Sequence, residues 1–149
     1  MASTLKVDTI TGVATAGSIA ITGEGNLTTT NLQQGLAKGW YNFDGSSSFL
    51  SARDSLNSSS LTDNGTGNYT NTLTNNMGNV NYIPSFSNGT HGDTRQFHVC
   101  VIDIDQNSSG NAPTTSAVRM QNNANGTDSA NSVAHDHDFI LGLIHGDLA

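Results

Sequence analysis

The chain has 149 residues and a formal charge of −7, from 5 Lys plus Arg against 12 Asp plus Glu. Asn, Thr, Ser and Gly sum to 69 residues and Leu, Ile, Val and Phe to only 31, a balance that favours turns and extended strands and excludes a helical bundle. Five scattered bases cannot neutralise a row of phosphates, and an anionic membrane surface would repel the chain, so neither nucleic acid nor a lipid headgroup surface is an expected partner.

Residues 1–34 read as an N-terminal arm. Leu5, Val7 and Thr9 alternate with Lys6, Asp8 and Ile10, the pattern of a short strand, and Ile19-Ala20-Ile21 is a second such run. Between them lie Gly12, Gly17, Gly23, Gly25 and the run Thr28-Thr29-Thr30, too little apolar surface to fold alone. The arm is therefore expected to be ordered by another surface, with Leu5, Val7, Ile10, Ile19 and Ile21 as its attachment residues. Gln33 to Ala37 fits one helical turn.

Residues 35–149 read as a series of short strands. In Gly39-Trp40-Tyr41-Asn42-Phe43, Tyr41 and Phe43 share one face and Trp40 takes the other, which predicts a strand covered on both sides, closed by the turn Asp44-Gly45. Further strands are expected near 50–56, 68–74, 80–86, 95–104, 116–121 and 133–144, with Asn64-Gly65, Asn88-Gly89 and Asn125-Gly126 as turns. Phe97, Val99 and Val101 alternate with His98, Cys100, Ile102 and Ile104, which reads as a central strand with two apolar faces. The expected fold is all-β: an antiparallel β-sandwich or jelly-roll-like module carrying an extended N-terminal arm. Trp40, Tyr41, Phe43, Phe97, Val99 and Val101 are its expected core or oligomer contacts. Because the apolar content is thin, a homo-oligomer is expected.

Candidate chemistry is sparse. His135-Asp136-His137-Asp138 on a strand would point both imidazoles to one face, and three copies on a threefold axis would present six nitrogens, enough for an octahedral transition metal. The alternative is a solvated or hydrogen-bonded pair with no cofactor. Asp103 and Asp105 form a weak candidate calcium pair at a loop. The single cysteine, Cys100, stands between valines and reads as a structural thiol. No GxSxG, HExxH, P-loop or dinucleotide-binding pattern occurs, and the sole glutamate, Glu24, lies in the arm, so the chain is not expected to be an enzyme. Nothing approaches a run of 18 apolar residues, so no membrane insertion is expected. The N-terminal residues lack the apolar core of a signal peptide, which points to synthesis and retention in a cytoplasm, and the seven Asn-x-Ser/Thr triplets are accordingly not expected to carry glycans.

Three stretches of the first half carry a resemblance: Ser3-Thr4-Leu5-Lys6-Val7-Asp8-Thr9-Ile10; Gly35-Leu36-Ala37-Lys38-Gly39-Trp40-Tyr41-Asn42-Phe43-Asp44-Gly45; and Arg53-Asp54-Ser55-Leu56-Asn57 with Leu61-Thr62-Asp63-Asn64-Gly65-Thr66-Gly67-Asn68-Tyr69-Thr70. Over residues 3–83 the chain resembles small virion structural proteins of marine tailed bacteriophages, such as those of cyanobacteria. The match departs at Leu56, where such proteins carry an aromatic, and at Asn71, where they carry an apolar residue. The resemblance implies a trimeric short fibre or knob on the exterior of the particle, joined to other phage structural proteins through its N-terminal arm, or alternatively a capsid decoration protein that stabilises the head. The His-x-His pair resembles those of trimeric phage fibres and spikes. Contact with a host glycan or receptor would fall to the Asn- and Ser-rich stretches 107–115 and 121–132.

Overall fold

The computed structural model describes residues 4–12, 19–22, 29–89, 98–103, 112–125 and 132–149. The chain divides into two units, Met1–Leu36 and Ala37–Ala149. In the first, β1 (Ala20–Thr22) pairs antiparallel with β2 (Thr29–Asn31), and the single helical turn α1 (Leu32–Gly35) follows. Ile19 O accepts the Leu32 backbone N–H at 2.8 Å, which joins the turn to the start of the hairpin. Residues 4–12 form no strand, contrary to the alternation of Leu5, Val7 and Thr9.

The second unit is all-β and wholly antiparallel. One sheet has the order β4 (Ala52–Leu56), β3 (Gly39–Phe43), β11 (Phe139–His145), β7 (Ile83–Gly89). The other is built on β9 (Ala117–Asn125). Along one side of β9 run β6 (Asn68–Leu73) and then β10 (Ser132–Ala134); β8 (His98–Ile102) takes the other side, and β5 (Ser58–Gly65) pairs with the free side of β6. Thr66-Gly67 joins β5 to β6, so the turn lies two residues beyond the expected Asn64-Gly65, which ends β5, and Asn88-Gly89 ends β7 instead of forming a turn; Gly65 and Gly67 are both at positive φ, where a Cβ is costly.

Period-two alternation decides what lies between the sheets. Tyr41 and Phe43 of β3 and Ile140 and Ile144 of β11 point inward, meeting Tyr69 and Leu73 of β6 and Val118 and Met120 of β9, all of them buried. Phe43 and Tyr69 make an edge-to-face contact across the gap with centroids 5.2 Å apart, and the Tyr41 hydroxyl reaches Met120 Sδ at 3.5 Å. Gly142 sits opposite Tyr41 because the ring occupies the space that a Cβ would need.

Four expectations change. The segment 133–144 is two strands, β10 and β11, in different sheets, because residues 135–138 carry the chain across the sandwich. β5 is an additional strand: its Ser-rich sequence has almost no apolar alternation, yet it forms a sheet edge where most of its side chains stay wet. β8 lies at an edge, not in the centre, and its inward face carries His98, Cys100 and Ile102, opposite Ala124, Asn122 and Met120. Val99 and Val101 therefore face out, Val99 half-buried and Val101 43% exposed; Phe97 lies outside the described residues. Finally, Trp40 is only half-buried, since none of the described residues of this unit closes the outer face of the β3 sheet.

Candidate functional site

Three imidazoles meet where the chain crosses between the sheets. His137 is fully buried, its ring centroid 4.8 Å from that of His135 and 4.8 Å from that of His98 on β8. The crossing is fixed by its backbone and by Asp136. His135 N–H donates to Asn122 O at 3.1 Å and Gly45 N–H to His137 O at 2.9 Å, while the Asp136 carboxylate accepts Gly67 N–H at 2.6 Å and lies against the Tyr69 hydroxyl. Asp136 is thus a bridge between the β5–β6 turn and the β10–β11 crossing. It also adds to the burial that pushes the Tyr69 phenol well up.

The strand on which the expected metal geometry of His135 and His137 rested is not present: residues 135–137 form the crossing, His135 is half-buried and His137 is fully buried. Among the described residues no group of His, Cys, Asp or Glu is arranged to hold a metal ion. Asp103 of the proposed calcium pair receives Arg119 Nε at 2.9 Å and Asn68 Nδ2 at 2.6 Å; Asp105 lies outside the described residues. Cys100 packs against the core, and burial pushes its thiol up to about 12, so at neutral pH it is protonated and a poor nucleophile. Of the expected receptor-facing stretches 107–115 and 121–132, residues 107–111 and 126–131 fall outside the described residues, and 121–125 belongs to strand β9.

The two sheets differ in what they show to solvent. On the β6–β9 sheet the outer face is a polar lattice: Asn68 Nδ2 donates to Gln121 Oε1 at 2.8 Å, Arg119 Nε donates to Asn68 Oδ1 at 2.6 Å, and Asn64 Nδ2 donates to Thr70 Oγ1 at 2.9 Å. On the β3–β11 sheet the outer face is apolar. Register places Leu56, Trp40, Leu143 and Ser85 side by side across all four strands, and Asn42, Leu141 and Ser87 in the next row. Leu56 is 48% exposed, Ile83 67%, Phe139 44%, Leu141 41% and Leu143 38%. The arm residues Leu5, Val7, Ile10 and Ile21 are likewise more than half exposed. These surfaces, more than any cleft, are where the described residues offer binding energy. The departure from the resemblance at Leu56 falls on this face.

Fold and surface together define an antiparallel, sandwich-like all-β module with one polar and one apolar outer face. Compared with protein-family models, curated proteins and solved structures, the chain matches none.

Proposed function

We propose that the chain is a non-enzymatic structural protein of a tailed-phage particle, a trimeric short fibre or knob on the virion exterior, joined to its neighbours through the N-terminal unit. The observation that carries this reading is the separation of a self-cored β-sandwich from an N-terminal segment whose apolar side chains, Leu5, Val7 and Ile10, find no cover. Ordered apolar side chains left in water are a cost unless another surface takes them up. The sequence resemblance over residues 3–83 supplies the kind of assembly, and the Asn- and Ser-rich loops supply polar groups suited to a host glycan.

The test is deletion of residues 1–34 in the phage that carries the protein. The truncated chain is expected to keep its β-sheet circular dichroism and to be missing from purified particles, whereas the full chain is present at tens of copies or fewer. Recovery of the truncated chain in particles at normal levels would refute attachment through the arm. A count in the hundreds per particle would move the protein from the tail to the capsid shell.

A further inference from the structure

We infer that the outer face of the β4–β3–β11–β7 sheet is the surface through which copies of this chain bind one another. The inference deepens the proposed assembly and rests on its oligomeric element, but it concerns the purified protein and needs no particle.

The first argument is area. Five side chains exposed at 38–67%, at roughly 200 Å² for each large residue, present on the order of 500 Å² of apolar surface. That matches the largest patch seen on typical monomers, about 300–600 Å². With Trp40 and the serine rows added, it approaches the roughly 800 Å² that each partner contributes to a stable interface. A contact of this kind needs an apolar centre and a polar rim. Here the centre holds Trp40, Leu141 and Leu143, while the charged Arg53 and Asp54 stand on edge strand β4 and the polar His145 at the end of β11. Arg53 is already neutralised, with its guanidinium 3.1 Å from Asp44 and lying 4.6 Å over the Phe139 ring.

The second argument is relief. Between β3, β11 and β7 the face sinks into a depression of about 440 Å³, bordered by Trp40, Leu141 and Leu143 and opening where Ser85 and Ser87 offer only small side chains. On the same face Ile83 and Phe139 stand proud at 67% and 44% exposure. A surface that carries both a knob and a hollow can mate with copies of itself, with the knob of one copy seated in the hollow of the next around a closed ring. The β6–β9 face offers no comparable footing, because its polar side chains are already hydrogen-bonded to one another.

Trp40 is the only tryptophan and lies in the centre of the face, so the unmodified protein reports on its own interface. Sedimentation equilibrium of the full chain is expected to show an oligomer at micromolar concentration, and dilution is expected to red-shift Trp40 emission in step with dissociation. Leu141→Glu with Leu143→Glu is expected to raise the dissociation constant at least about 100-fold, by placing unpaired charge in the apolar centre of the contact, with far-UV circular dichroism unchanged. Thr62→Glu, on the exposed edge strand β5 of the other sheet, is expected to leave assembly unaltered. A monomer in which Trp40 emission does not depend on concentration would overturn the inference, since the face would then be open or reserved for a different protein. Dissociation of the wild-type oligomer without any Trp40 shift would also overturn it, even if the double variant failed to fold. Neither result depends on finding the protein in a virion, so this inference and the virion reading can fail separately.

Discussion

Asn57 shows how much a single side chain can decide in a chain with so few apolar groups. It stands between β4 and β5, at the step from one sheet to the other, and it is the one non-glycine among the described residues at positive φ (57°). Its Nδ2 donates to Lys38 O at 2.9 Å and to Asn75 O at 3.1 Å, and its Oδ1 accepts the Asn75 backbone N–H at 2.6 Å. Asparagine tolerates the left-handed region better than other branched or bulky residues, and here the amide also ties three segments together. Asn57→Gly keeps the backbone conformation and removes the hydrogen bonds, an expected loss of about 1–3 kcal/mol. Asn57→Ala loses the same bonds and adds a left-handed penalty of about 1–2 kcal/mol. Urea midpoints should therefore fall in the order wild type, Gly, Ala; an Ala variant as stable as the Gly variant would show that φ at this position relaxes freely. Asn71 makes the complementary point. The structure buries it completely, with Oδ1 accepting from Ser58 Oγ and no hydrogen-bond partner for Nδ2.

The crossing from β10 to β11 is not itself a strand and is held by specific tethers. The Tyr69 hydroxyl lies between the Asp136 carboxylate and Gly45 O, the latter at 2.9 Å, so one phenol on β6 connects the crossing to the Asp44-Gly45 turn. Tyr69→Phe leaves the ring packed against Phe43 and removes only this tether. The expected cost is about 1.5–3 kcal/mol, the usual worth of a hydrogen bond to a charged group, read as a lower melting temperature. An unchanged melting temperature would mean that water replaces the hydroxyl without loss. Sequence reasoning finds β3 and β6 because aromatic alternation marks them, and it places the turn before β6 two residues early, at Asn64-Gly65 instead of Thr66-Gly67. It fails at β5, where pairing is driven by backbone hydrogen bonds to β6 and the side chains carry little signal. In β8 both sets of alternate positions are apolar, so period two names two faces without saying which is inside; packing against β9 selects His98 and Cys100 over Val99 and Val101. The histidines are visible in sequence as a pair, but the third, His98, joins them only through the pairing of β8 with β9. No local pattern encodes that meeting. The outer face fails for a similar reason: Trp40 is legible as a residue on the opposite side from Tyr41, whereas its exposure depends on strands 100 residues away in the chain.

At the scale of the whole molecule, the sandwich gathers all three tyrosines of the chain, Tyr41, Tyr69 and Tyr82, into its interior. Burial is the largest cause for each: it pushes Tyr82 up to about 12 and Tyr41 and Tyr69 well above their usual value, Tyr69 with a further push from the Asp136 carboxylate. A phenol whose folded value is raised contributes stability that is fully present below the unfolded value of about 10 and is lost as pH rises through the folded value. Each such phenol lowers the unfolding free energy by about 1.4 kcal/mol per pH unit in that window, and three together by about 4 kcal/mol per unit. Because a marginal fold holds only about 5–15 kcal/mol and about 4 kcal/mol is lost per unit, the native state should give way above about pH 11, before its phenols titrate one by one. Phenolate absorbance is therefore expected to stay low past pH 10, then rise in one cooperative step that coincides with loss of the β-sheet circular dichroism signal. A smooth rise centred near pH 10 with the dichroism intact would show that the tyrosines lie in contact with water and that the sheets do not close over them.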